Sequence, residues 1–153
     1  MTTLLAFRLR LVIGVLALLG LLVAVYLALY ETRLSGSLIC PDQGCEQVNR
    51  SDYVDMFGVP IAVIGVGGYG LILAITLGYI NRRQMAGLPV GLVLLVLSGV
   101  GFLFSLFLTY LELFEIRAIC TWCMVSAGLM TAIFALAVAA WYGEGSPQRA
   151  RRR

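Results

Sequence analysis

Residues 120–142 read CTWCMVSAGLMTAIFALAVAAWY. Two cysteines, Cys120 and Cys123, head a 23-residue run without a charged side chain. Such a run, helical at about 1.5 Å per residue, is long enough to cross a hydrocarbon core of roughly 30 Å. The cysteine pair therefore stands where water meets lipid. The fold then depends on how many more such runs the chain holds.

It holds three: Leu11–Tyr30, Val59–Ile80 and Leu88–Leu111, of 20, 22 and 24 residues. The 11 basic and 8 acidic residues all fall outside the four runs. Only 12% of the chain is charged and 61% is hydrophobic, far from a soluble composition. Lipid offers no partners to an open sheet edge, so the spanning segments are expected to be helices. The expected fold is an all-α membrane protein, a four-transmembrane-helix bundle forming one integral membrane domain over residues 1–153. Its helices are expected over 11–30, 59–80, 88–111 and 120–142. The first run is longer than the apolar region of a signal peptide and has no small-residue cleavage site behind it, so it reads as a retained helix.

All 11 basic residues are arginines, and there is no lysine or histidine. That excludes histidine catalysis, HExxH zinc sites and histidine haem ligation. A net charge of +3 is too small to point to nucleic acid. Arg8, Arg10, Arg82, Arg83, Arg149, Arg151, Arg152 and Arg153 fall on one side of the expected bundle, and Arg33, Arg50 and Arg117 on the other. Positive charge marks the cytoplasmic side. Both termini are therefore expected in the cytoplasm, with all four cysteines on or near the extracytoplasmic face.

The other pair lies in the polar stretch Cys40-Pro41-Asp42-Gln43-Gly44-Cys45. Pro, Asp and Gly are turn formers, and a turn would bring the two sulfurs within disulfide reach. A loop this small gains little from being stapled. A dithiol that opens and closes, a structural staple and a metal or free-thiol site all remain open. Further on, Tyr53, Met56 and Phe57 are spaced for one face of a short interfacial helix, with Ser51 as its N-cap and Gly58 and Pro60 ending it; a turn that merely anchors the loop fits the pattern equally. Gly65, Gly67, Gly68 and Gly70 in the second run read as helix packing, with Tyr69 as a lesser candidate for lining a cavity. Ser98, Gly99 and Gly101 read the same way. Phe102, Phe104 and Phe107 can face lipid or a flat ligand, with lipid the first expectation.

Thiolate is the reactive form of cysteine, and a helix N-terminus favours it. Cys120 is expected at such a terminus, three residues after Arg117, so the helix end or Arg117 would stabilise its thiolate. Cys123 lies about 4.5 Å further along the axis. Cys120 is thus expected to face the aqueous loop, and Cys123 the bundle interior. Two dithiols can pass an electron pair by exchange. The loop pair can reach a soluble protein, and the helix pair a carrier dissolved in lipid, for which a quinone is the natural choice. The route would run from a partner dithiol to Cys40/Cys45, then to Cys120/Cys123, then to quinone. Asp52, Asp55, Glu112 and Glu115 are candidates for handling the protons.

Four helices, a spaced loop pair and CxxC at the head of the fourth helix resemble vitamin K epoxide reductase (VKOR) and its bacterial homologues. The resemblance runs from Leu11 to about Tyr142. It includes Ser51, six residues after Cys45, where the family carries a Ser or Thr associated with its quinone site. It implies a disulfide-generating oxidoreductase of the bacterial cytoplasmic membrane, using ubiquinone or menaquinone. Cys40, Cys45, Cys120 and Cys123 would be catalytic, and Ser51 and Cys123 would line the quinone site. It also implies a thioredoxin-like (DsbA-like) periplasmic partner, expected as a separate protein because the chain ends at Arg153. Ala127 stands where the vertebrate enzymes carry a tyrosine, and the resemblance to that branch stops there. Rival readings are a four-helix assembly protein with structural disulfides, a four-thiolate zinc site, and a conduit carrying reductant outward.

Overall fold

Each charge-free run contains a helix. The computed structural model describes residues 2–31, 48, 55–56, 59–79, 84–85 and 87–144. Helix α1 spans Thr2–Glu31, α2 Ile61–Gly78, α3 Val90–Tyr110 and α4 Thr121–Glu144. A π-helix, Leu111–Ile116, extends α3. The segments Phe7–Tyr30, Ile61–Gly78, Val90–Ile116 and Thr121–Tyr142 are long and apolar enough to cross a membrane. The protein is a multi-pass membrane helical bundle.

The helix bounds differ from the apolar runs for a simple reason. An apolar run limits what can sit in lipid, not where backbone hydrogen bonding stops. Helix α1 therefore includes Arg8 and Arg10. Arg10 is buried and donates to the Tyr79 carbonyl oxygen at 3.2 Å. A cation at the C-terminal end of α2 suits that helix's dipole. This bond puts the start of α1 level with the end of α2.

Helices α2 and α3 each begin directly after a proline, Pro60 and Pro89. Proline lacks an N–H and pre-sets φ, so it is well suited to precede a helix. Both prolines also close two-residue antiparallel ladders. Strand β1 (Asp55–Met56) pairs with β2 (Val59–Pro60), and β3 (Gln84–Met85) with β4 (Leu88–Pro89). Gly87, at φ +84°, makes the left-handed turn of the second hairpin. The ladder corrects part of the interfacial-helix expectation, because Asp55 and Met56 are extended; residues 51–54 and 57–58 lie outside the described residues. Val48 is helical.

The core is built from Ile13, Ala17, Tyr69, Ile72, Leu94 and Ile133 and their neighbours. Small residues bring backbones together, as lipid-embedded packing requires. A methyl group added at Gly65 would lie 3.5 Å from the Ala24 Cβ, and one at Gly20 would collide with the Tyr69 ring. Helix α1 packs on α2 and α4, and α3 packs on α4, while α2 and α3 touch only lightly. Ser98, Gly99 and Gly101 do serve packing: Ser98 is fully buried, and the two glycines face Phe134 and Met130. The three phenylalanines part ways. Phe102, half-buried, stacks on Phe134 at 5.1 Å and packs against the core, so lipid is not its main neighbour. Phe104 lines a cavity, and Phe107 is exposed on the outer surface.

Candidate redox site

Helix α4 starts at Thr121, which places Cys120 one residue before it and Cys123 in its first turn. The two are free thiols with a hydrogen bond between their sulfurs. Cys120 has no exposed surface. It packs with Ala118 and with Val48, from the segment between α1 and α2; Ile116, Trp122 and Cys123 border this cluster. The expectation that Cys120 faces the aqueous loop is thus corrected in one respect. It is fully buried against Val48, because an apolar side chain from that polar stretch covers it.

The Cys120 thiol is held below the ordinary thiol range. The largest cause is the hydrogen bond to the Cys123 side chain, and the backbone N–H groups of Cys123 and Trp122 add to it. Burial and the nearby Glu112 charge act in the opposite direction. The helix-end half of the expectation therefore holds. Arg117 has another job. It is exposed and adopts the left-handed conformation, φ +55°, that ends the π-helix and turns the chain toward α4.

The π-helix brings a carboxylate to the pair. The Glu112 backbone carbonyl accepts the N–H groups of Arg117 and Ala118, closing the turn. Its side chain turns inward and is 95% buried. Glu112 Oε2 accepts the Cys120 N–H at 3.2 Å, and the carboxyl group also hydrogen-bonds the Cys123 side chain. Of the carboxylates named from the sequence, Glu115 is exposed, the side chain of Asp55 is not described, and Asp52 lies outside the described residues.

Where α2 and α3 part, a cavity of about 300 Å³ opens. Its walls are mostly apolar, including Ile61, Leu97, Val100, Phe104 and Leu108. Cys123, Glu112, Tyr69, Ser126 and Ala127 also line it. The Tyr69 hydroxyl donates to the Ser126 carbonyl oxygen at 2.8 Å and lies 3.0 Å from Ser126 Oγ. Tyr26 and Trp122 meet edge-on at 5.6 Å at the cysteine end of the bundle.

Cys120 and Cys123 are therefore together, in hydrogen-bond contact. Cys40, Cys45 and Ser51 lie outside the described residues. Reading the sequence did not single out Val48 or Ser126, and it left Glu112 one carboxylate among four. Val48 had a signal, as the sole apolar residue in Glu46–Ser51, and Glu112 had one as an acid abutting an apolar run. Comparison with curated proteins yields no match. The sequence profile of the Vitamin K epoxide reductase family matches residues 11–138.

Proposed function

This chain belongs to the vitamin K epoxide reductase family and is a membrane thiol–disulfide oxidoreductase, and from that premise we propose that it makes disulfides at the expense of a quinone. Electron pairs would pass from a thioredoxin-like extracytoplasmic partner to Cys40/Cys45, then to Cys120/Cys123, then to the quinone. One observation carries the reading: the CxxC pair has a different neighbour on each side. Cys120 lies under Val48, on the segment that also carries the loop cysteines, while Cys123 lines the apolar cavity.

Cys45 precedes Val48 by three residues. An extended chain covers at most about 3.6 Å per residue, so three residues of chain reach no further than roughly 11 Å. This supports direct exchange between the pairs. The cavity's volume is at the lower end of the range for small-molecule pockets, roughly 300–1,000 Å³. Apolar walls with a few polar groups at one end suit a flat, lipid-soluble ring. Cys123, Glu112, Tyr69 and Ser126 would face its polar edge, with Ser51 a further candidate. A quinone held there supplies a two-electron acceptor.

In the exchange step the Cys45 thiolate attacks the Cys120 sulfur of a closed Cys120–Cys123 disulfide. The Cys45–Cys120 bond forms, the Cys120–Cys123 bond breaks, and the electron pair leaves on Cys123. Cys40 then attacks Cys45, closing Cys40–Cys45 and releasing Cys120 as a thiolate. A thiol of low pKa leaves faster, and the surroundings of Cys120 favour that form. Burial under Val48 keeps water away from the sulfur during the transfer. With the arginine-rich end in the cytoplasm, the cysteine end of the bundle faces the periplasm of a bacterial cell.

Purified full-length protein given a quinone should oxidise a reduced thioredoxin-like protein. Cys123→Ala should abolish quinone reduction while Cys45–Cys120 mixed disulfides still form. Quinone consumption that persists in Cys123→Ala would reject the assignment. If Cys40→Ala destabilises the fold and no mixed disulfide is ever trapped, a four-helix assembly protein with structural disulfides becomes the better reading.

A further inference from the structure

The proton that leaves Cys123 needs a destination, and the buried end of the bundle offers few. Glu112 is a carboxylate placed among apolar groups, and burying a charge there is costly unless it is put to use or well bonded. It is 95% buried, touches both cysteines and shares the cavity wall with Cys123. The π-helix that aims it inward is a rare element, found often at functional sites. A purely structural task, accepting the Cys120 N–H, could be met by a neutral amide at a lower desolvation cost.

We propose that Glu112 is the acid–base residue of the Cys120/Cys123 pair. This rests on the exchange-and-quinone reading above and adds the route of one proton. When the reduced pair closes, the Cys120–Cys123 bond forms and two electrons leave to the acceptor in the cavity. The Cys123 S–H proton passes to the Glu112 carboxylate, and the Cys120 sulfur reacts as the thiolate that the exchange released; a quinone taking the electron pair would draw its two protons from water and leave as quinol. When Cys45 attacks Cys120 and reopens the pair, the electron pair arrives on Cys123. Protonated Glu112 returns its proton there, so that Cys123 departs as a thiol. Glu112 ends each half-reaction with its charge reversed, and a complete cycle restores it.

Three variants of the full-length protein separate this role from a structural one. Glu112→Gln keeps size and the acceptor for the Cys120 N–H but cannot carry the proton. Glu112→Asp keeps the carboxyl group but is one methylene short. Positioned proton transfer contributes roughly 10²–10⁴-fold. Single-turnover closure of the pair should therefore slow about 100-fold or more in Glu112→Gln, and less in Glu112→Asp. A structural role predicts the reverse order, and Gln equal to or faster than Asp would overturn the proposal. Glu112→Ala should be as slow as Gln and regain rate with added formic acid; no regain would count against it. The second readout needs no quinone. In the reduced, quinone-free protein, the infrared S–H stretch of Cys123 should sit at the frequency of a strongly bonded thiol and move toward the free position in Glu112→Gln. An unmoved band would also overturn the proposal. If wild-type protein reduces no quinone, the quinone reading fails by itself. The order wild type, Asp, Gln must then appear in closure of the pair by the thiol oxidant diamide, or the Glu112 inference fails too.

Discussion

Cys120 and Cys123 are three positions apart, yet their surroundings differ in a way that assigns them different work. Cys120 is fully buried under Val48, and the first N–H groups of α4 point toward its sulfur. Cys123 lies a turn deeper beside Glu112 and the cavity. Because the folded-state pKa of Cys120 is lowered, its thiolate persists below the ordinary thiol value of about 8.5 and is lost only as pH falls through the lowered value. Cys123→Ala removes the largest cause of that lowering. The alkylation profile of Cys120 against pH is therefore expected to move to higher pH in Cys123→Ala. The profile in Arg117→Ala is expected to stay where it is, since the groups that lower the Cys120 thiol are Cys123 and the first N–H groups of α4. Rate–pH curves from mass spectrometry of alkylated protein check both.

The element that matters most is the short π-helix Leu111–Ile116 with its left-handed end at Arg117. Together they replace a plain loop between α3 and α4, and they turn Glu112 inward while leaving Glu115 outside. Left-handed backbone costs a side-chain-bearing residue about 1–2 kcal/mol. A β-branched residue fits it worst. Arg117→Val is expected to lower stability by about 1–2 kcal/mol on that ground, whereas Arg117→Gly should hold or raise it. Thermal unfolding midpoints in the same detergent measure the difference. If Val is tolerated as well as Gly, the turn does not depend on that backbone conformation.

At the scale of the whole molecule, the cavity exists because the four helices are not packed evenly. Helix α1 holds α2 and α4 together through small residues, α4 holds α3, and α2 and α3 stand apart around the space that Cys123 lines. Val48, between α1 and α2 in the sequence, packs against Cys120 and Ala118. Replacing Val48 by Ala removes about two methylene equivalents of buried surface, about 1.6 kcal/mol. That corresponds to roughly a tenfold loss in the docked population. In a Cys40→Ser background, Val48→Ala should form the Cys45–Cys120 mixed disulfide up to about ten times more slowly, with Cys120 more open to alkylation. Unchanged rates for both would mean that Val48 does not hold the segment in place.

The number of helices, their order and the position of the CxxC pair could be read directly from the sequence. Charge is so unfavourable in lipid that the spacing of 19 charged residues marks every span. The helix-end contribution to Cys120 follows from the same local reasoning. Glu112, Val48, Tyr69 and Ser126 are another matter, because they meet the site or one another across 8 to 72 positions of chain (120 − 112 and 120 − 48). No local period distinguishes Glu112 from Glu115, or the fate of Phe102 from that of Phe107. Which of two neighbouring carboxylates turns inward depends on a single widened helical turn and one left-handed residue. Which faces of α2 and α3 enclose a cavity depends on how closely α1 and α4 draw the bundle together. Local chemistry set the elements, and packing between distant elements decided which of their side chains gather around the sulfurs.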